Sequence, residues 1–162
     1  GNRKPQRSSY NNAHAYLSAP YGIYKTANGY IAIAMTPLPQ LGELINLDSI
    51  KKLHDQKEWF TKRDVIKKSI GDWIEKETTE HWLSILEPAD IWCAEVLDWE
   101  KMVKHDGFKI LDMVQRIKRD DGLNIETLRC PIKIDGEIYK SDKAAPKIGN
   151  DNRNIKKEFG IE

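Results

Sequence analysis

Apolar and polar residues on both sides of the dipeptide Asn28-Gly29 form the clearest pattern along the chain. Both flanking segments are rich in β-branched and aromatic residues, which favour strands. Asn-Gly accepts the left-handed backbone that a type I′ turn requires. The pattern predicts a β-hairpin in which Ile31, Ile33 and Met35 share one face of a sheet.

The middle of the chain changes to apolar residues spaced three or four apart, which predicts a series of helices. One such stripe contains Ile66, Ile70, Trp73 and Ile74. A helix must end before Pro88, because the residue before a proline avoids the helical region. The residues predicted to cap these helices are Asp48 or Ser49, Thr79 and Asp98. The segment 61–64 also resembles a capping box.

Strand patterns return after Gly107. Turn signals at Asp121-Gly122 and Asp135-Gly136 predict two further hairpins, and a last short helix is expected at 154–159. Strands and helices are therefore segregated along the chain rather than alternating. This order predicts the α+β class, with a small antiparallel sheet of hairpins packed with several helices.

Composition limits the class of protein. The chain has 162 residues, of which 40% are hydrophobic and 31% are charged, and this suits one domain with a core. Lys and Arg number 26 against 25 Asp and Glu, a formal net charge of +1, whereas nucleic-acid-binding proteins usually carry a basic excess. Since no apolar run is long enough to span a membrane and no signal peptide opens the chain, we expect a cytoplasmic protein with neither nucleic acid nor membrane as a partner.

Few residues of the sequence suggest a catalytic or metal-binding role. Cys93 and Cys130 stand far apart, so neither a disulfide framework nor a zinc site is predicted. Cys93 lies in the short apolar run 91–96, which predicts a buried strand where a cysteine acts as a small hydrophobe. The histidines are scattered, no metal site is predicted, and only His14 is kept as a possible ligand contact. No motif for a nucleophilic serine, a phosphate loop or a dinucleotide is found.

Four segments of the chain are similar to motifs of one family. Residues 21–34 resemble Y-G-x-Y-x-T-x-D-G-x-x-x-x-A, with Asn28 in place of the Asp. Residues 91–96 resemble I-P-C-G-P-V, residues 130–136 resemble S-P-I-R-x-S-G, and residues 145–152 resemble A-P-x-L-G-E-H-T. The order of these motifs resembles that in the class III CoA-transferases, the family of formyl-CoA transferase, L-carnitine CoA-transferase and α-methylacyl-CoA racemase.

The resemblance implies a protein of two domains. Members join a large Rossmann-like domain to a small α+β domain through two linkers, and two subunits form an interlocked homodimer. Applied to this chain, residues 1–20 are a linker arm, 21–140 are the small domain, and 141–162 are a second linker with a short helix that would return to the large domain.

The resemblance also implies a reaction. In the family an aspartate of the large domain attacks an acyl-CoA, and CoA passes to a carboxylic acid through anhydride and aspartyl-CoA thioester intermediates. Coenzyme A is a substrate and no bound cofactor is implied. Because the large domain is formed mainly by the N-terminal part of family members, the resemblance implies that this aspartate lies upstream of Gly1 and that this chain alone is inactive. The start at Gly1 rather than Met also leads us to expect a piece of a longer protein.

Substrate contacts of the small domain are expected where it closes over the acyl end of the thioester and excludes water. The candidates are the hairpin exit Ala34, Met35 and Thr36 and, more weakly, Tyr21, Tyr24 and His14. Packing in the sheet is the competing role of the two tyrosines, and no catalytic residue is carried over to this chain. The alternatives are an acyl-CoA racemase or a carnitine-type transferase of the same family, or a free-standing α+β interaction module.

Overall fold

A computed structural model describes residues 6–11, 14–119 and 121–161. These residues form two compact units, of which the first ends at Asp98 and the second begins at Trp99. Each unit combines helices with antiparallel strands, so the predicted α+β class is confirmed.

The first unit contains a three-stranded antiparallel sheet. Its strands are β1 (Gly22–Lys25), β2 (Tyr30–Ile33) and β3 (Cys93–Glu95), with β2 in the centre. The predicted hairpin is confirmed as β1 and β2. The strand predicted at 91–96 is confirmed as β3, but it is a partly exposed edge strand rather than a buried one.

Side chains, rather than left-handed backbone, hold the turn of this hairpin. Within the described part of the chain, the residues with positive φ do not include Asn28 or Gly29, so the predicted type I′ turn is wrong. The amide of Thr26 donates to the carbonyl of Gly29 at 2.9 Å. The side-chain oxygen of Asn28 accepts a hydrogen bond from the amide of Thr79 at 2.9 Å. The loop is therefore tied to the N-terminus of a helix.

The helices of the first unit form a core with the inner face of the sheet. Among the described residues they are α1 (Leu38–Leu44), α2 (Asp48–Lys51), α3 (Gln56–Thr61), α4 (Arg63–Ile74) and α5 (Thr79–Leu86). Helix α4 contacts the sheet through β1, and α5 contacts it through β3. Helix α3 was not expected from the sequence. The predicted stripe on α4 is confirmed, because Ile66, Ile70 and Ile74 are buried against Tyr24 and Ile31 of the sheet.

Two of the predicted helix caps are wrong because the side chains bind elsewhere. The N-cap of α2 is Leu47, without a side-chain hydrogen bond, and the carboxylate of Asp48 pairs with Lys51 at 3.0 Å. At α5 it is Thr78 that caps, by accepting from the third amide of the helix. The Thr79 hydroxyl is buried and lies 2.7 Å from that of Thr26.

The predicted capping box at 61–64 is wrong as well. The hydroxyl of Thr61 donates to the carbonyl of Lys57 at 3.0 Å, inside α3. Helix α4 begins after Lys62 without a side-chain cap. The carboxylate of Asp64 accepts instead from Ser8 and Ser9, which lie far away in the sequence.

The second unit is built from short elements. Those described are α6 (Trp99–Lys104), α7 (Asp106–Ile110), β4 (Val114–Lys118), β5 (Asn124–Leu128), β6 (Lys133–Ile134), β7 (Glu137–Ile138) and α8 (Asn152–Phe159). Both predicted hairpins and the last helix are confirmed, whereas α7 was not expected. The turn between β6 and β7 has the left-handed backbone that its sequence predicts, with φ of 51° at Asp135 and 84° at Gly136.

An arginine organises the centre of the second unit. Arg129 is only 3% exposed. Its guanidinium donates to the carbonyls of Asp112 and Cys130, both at 2.6 Å, and to that of Leu111. These bonds tie the segment before β4 to the end of β5.

Candidate functional site

The outer face of the three-stranded sheet carries small and apolar side chains. The register pairs Ile23 with Ala32 and Ala32 with Ala94, and these residues lie on the face opposite the core. Beyond the ends of the strands, the amide of Ala34 donates to the carbonyl of Trp92 at 2.8 Å. Alanines at the centre of this face leave a depression between the larger side chains at its margin.

This depression is a groove of about 640 Å³, which we call the outer groove. Tyr21, Ile23 and Trp92 supply its large apolar side chains, and Trp92 is 75% exposed. Glu87 and Asp90 are its charged residues, since no Lys, Arg or His lines it among the residues that the structure describes. The outer groove is therefore suited to apolar groups rather than to anions.

The thiol beside the outer groove is not an activated nucleophile. Burial of Cys93 raises the pKa of its thiol, and the nearby carboxylate of Glu87 raises that pKa further. A reactive cysteine instead needs a lowered pKa, so that thiolate is present at neutral pH.

A second groove lies on the other side of the hairpin exit. We call residues 6–11 and 14–20 the arm, and the groove of about 490 Å³ beneath its last part the arm groove. Residues 16–20 of the arm form one wall, while Met35, Trp59 and Phe60 contribute to the other. The amide of Ala19 donates to the carbonyl of Trp59 at 3.0 Å, which fixes the end of the arm beside α3.

The three hairpin-exit candidates lie between the two grooves. Ala34 is half-buried in the outer groove, and Met35 and Thr36 line the arm groove. Met35 is 68% exposed, so the prediction that it shares the buried face of Ile31 and Ile33 is wrong. The strand β2 ends at Ile33, two residues before Met35, so the alternation of faces no longer applies there.

The weaker candidates occupy different environments. Tyr21 is half-buried in the outer groove. Tyr24 lies in the core, its hydroxyl donates to the carbonyl of Pro20 at 2.5 Å, and burial raises the pKa of that hydroxyl. His14 is exposed on the arm, with its ring centroid 6.5 Å from that of Tyr21. Tyr24 is thus a packing residue, whereas His14 and Tyr21 lie near each other at the surface.

Sequence reasoning missed the side chains that shape the two grooves. The sequence analysis did not single out Trp92, Trp59, Ile23 or Ala94 as site residues. The alternation of β1 and β2 could have identified Ile23 as facing away from the core. No local pattern could have brought Trp59 to the hairpin exit, because that contact joins two distant segments.

The grooves hold no recognisable catalytic centre. Among the described residues, no group of three or more His, Cys, Asp and Glu side chains could hold a metal ion. Both cysteines are free. Over the same residues, no helix combines the length and the apolar character needed to cross a membrane.

Comparison with known proteins gives one family and several solved structures. The model of CoA-transferase family III matches residues 1–152. Rv3272 from Mycobacterium tuberculosis, in its orthorhombic crystal form, superposes with a TM-score of 0.60 at 19% identity, over 84% of this chain and 40% of that protein. A CAIB/BAIF family protein from Brucella suis gives 0.58 at 22% identity, over 91% of this chain and 39% of that protein. No curated protein matches the sequence. The chain thus spans about two fifths of the length of these structural neighbours.

Proposed function

The chain belongs to CoA-transferase family III, and on that premise we propose that it is the part of an acyl-CoA:carboxylate CoA-transferase that closes over the acyl site. The observation that carries the proposal is the outer groove with the hairpin exit beside it. Exposed apolar side chains such as Met35 and Trp92 are costly to leave in water and suit a surface that covers another. Covering the acyl site would protect an anhydride intermediate from hydrolysis.

We place the nucleophilic aspartate outside this chain, in a large domain of the complete protein. The carboxylates that line the outer groove, Glu87 and Asp90, are exposed. A carboxylate that attacks a thioester acts in a site from which water is kept out. The complete protein would use coenzyme A and a carboxylic acid as substrates, act in the cytoplasm and form an interlocked homodimer. The linkers at the two ends of this chain would connect it to the large domain.

A transfer assay on the pure chain tests where the nucleophile lies. The chain is mixed with a panel of acyl-CoA donors and carboxylate acceptors, and new thioesters are measured by mass spectrometry. We expect no transfer with any pair. Turnover by the pure chain would contradict our placement of the nucleophile.

The proposed role of the hairpin exit is tested in the complete protein that contains this chain. Met35→Glu places a carboxylate where the acyl group would be covered, and we expect at least a tenfold loss of transfer. Val65→Glu is the matched control, since Val65 is 75% exposed on α4 and lines neither groove. Equal activity of the two variants would argue against a covering role. Exchange of the α-proton of the acyl group without CoA transfer would instead indicate a racemase.

A further inference from the structure

Helix α4 binds the arm through polar contacts at its first turns. Arg63 donates to the carbonyl of Phe60 at 3.0 Å and to the carbonyl of Gln6 in the arm. The carboxylate of Asp64 accepts from the amide of Ser9 at 2.9 Å, from its hydroxyl at 2.6 Å, and from the hydroxyl of Ser8. Successive residues of α4 thus hold one short stretch of the arm.

Lys67, one turn further along α4, is buried and forms no ion pair with a carboxylate among the residues that the structure describes. Its side chain is 0% exposed, and within the described residues its ammonium makes one hydrogen bond, of 3.5 Å to the carbonyl of Leu17 in the arm. Burial lowers the pKa of the Lys67 ammonium, and the neighbouring charge of Arg63 lowers it further.

The buried positive charge of Arg63 is also only partly compensated. It is 4% exposed, and its Nε has no hydrogen-bond partner in the part of the chain that the structure describes. The nearest oxygen of Asp64 is 4.0 Å from this nitrogen. Burying a cation is costly unless a partner charge compensates it, and apolar residues of similar size often give equal or greater stability. These two cations are therefore poorly explained as stabilisers of the core.

The two cations share one kind of partner: backbone carbonyls of the arm, one from Gln6 and one from Leu17. We propose that Arg63, Asp64 and Lys67 form a clamp that fixes the arm on α4 and so positions the wall of the arm groove. The clamp recognises the arm through backbone atoms and serine hydroxyls. This role of the clamp does not depend on which reaction the complete protein catalyses.

The clamp has a consequence for the arm groove. Residues 16–20 form its wall opposite Met35, and Leu17 lies within that wall. Tyr10 adds a close contact, since a Cβ on Gly71 of α4 would lie 2.6 Å from the Tyr10 hydroxyl. Releasing the arm would open the arm groove and change the surroundings of Met35. Arg63, Asp64 and Lys67 are thus positioning residues for that groove.

The substitution Lys67→Met tests the clamp in the whole chain. Methionine keeps a long buried side chain but removes the ammonium. We expect hydrogen exchange at the amide of Ala19, two residues from Leu17, to become at least tenfold faster, and the methyl resonance of Met35 to shift. Exchange of the core strands β1 and β2 should stay equal or become slower. Lys68→Met is the matched control, because Lys68 is exposed on the same helix and pairs with Asp72 at 2.6 Å.

The outcomes separate a clamp from an ordinary stabilising contact. Unchanged exchange in the arm, or equal acceleration in the arm and the core strands, would overturn the proposal. Asp64→Asn gives a second and milder test, since Asp64 lies at the surface end of the clamp. We expect at least fivefold faster exchange at the Ser9 amide, with no change in β1 or β2, and an unaltered Ser9 amide would equally overturn the proposal.

Discussion

The first unit has a hydrophobic core, whereas the second exposes most of its large apolar side chains. Among the described residues, Ile117 is the one buried hydrophobic side chain of the second unit, and the others all lie in the first. In the second unit Trp99 is 76% exposed and Ile110 is 82% exposed. The first unit can therefore be stable on its own contacts, while the second presents surface of the kind that proteins normally cover.

The contrast extends to how the units use polar groups. In the first unit, Asn28, Thr26 and Thr79 join the hairpin turn to α5 at the margin of an apolar core. In the second unit a buried arginine, Arg129, bonds three backbone carbonyls in place of a core.

The largest expected effect comes from removing a core side chain of the first unit. Ile70 is 0% exposed, and Ile70→Ala should lower the free energy of unfolding by about 2–5 kcal/mol. The control Ile110→Ala, at an exposed position of the second unit, should change it by less than about 0.5 kcal/mol. Urea denaturation measures both, and similar values would remove the distinction between the units.

Removing the buried arginine should affect the second unit alone. Arg129→Met leaves three carbonyls without their donor, at a cost of about 1–3 kcal/mol. Amide hydrogen exchange should therefore accelerate in β4 and β5 but not in β1 and β2. Equal acceleration in both sheets would mean that the two units unfold together.

A smaller effect is expected at the hairpin turn. Asn28→Ala removes the acceptor for the Thr79 amide and should cost about 1 kcal/mol, as for the loss of a helix cap. Exchange at the Thr79 amide should accelerate in the same variant. The control Asn124→Ala, at an exposed position of β5, should leave the first unit unchanged. A Thr79 amide that stays protected would show that Asn28 does not hold the first amide of α5.

The smallest effect is expected when the pH is lowered. Hydrogen bonds from Ser8 and Ser9 hold the pKa of Asp64 well below its usual range. A carboxyl with a lowered pKa contributes stability at neutral pH, and this contribution is lost as the pH falls below the ordinary value of about 4. The arm should therefore loosen in acid before the core does, as seen by NMR titration of the Ser9 amide. Replacing both serines by alanine should return the pKa of Asp64 towards its usual range, and an unchanged pKa would exclude them as the cause.

Local patterns determined much of the fold. The strands flanking Asn28-Gly29, the stripe on α4 and the two later hairpins were all predicted, because alternation and helical spacing depend on neighbouring residues alone. The family was also visible in the sequence, since its motifs keep their order along the chain. The candidate site residues predicted at the hairpin exit, Ala34, Met35 and Thr36, line two grooves in the structure. Whether they contact substrate stays a prediction.

Local patterns failed where side chains had more than one possible partner. Asp64 and Thr79 both suit the start of a helix, yet Asp64 binds the arm and Thr79 binds the hairpin turn. Lys67 reads as an exposed lysine of an amphipathic helix, but the arm covers it. A hydrogen-bonding group takes the partner that folding brings to it, and that partner can lie fifty residues away along the chain.

The amino-acid sequence by itself determined the strands, most of the helices and the family they belong to, because these follow from the order of residue types; α3 and α7 were not visible in it. Only the tertiary structure decided that Trp92 is exposed, that Lys67 is buried and that Met35 lines the arm groove. Burial depends on what the rest of the chain places against a side chain, and no local spacing contains that information.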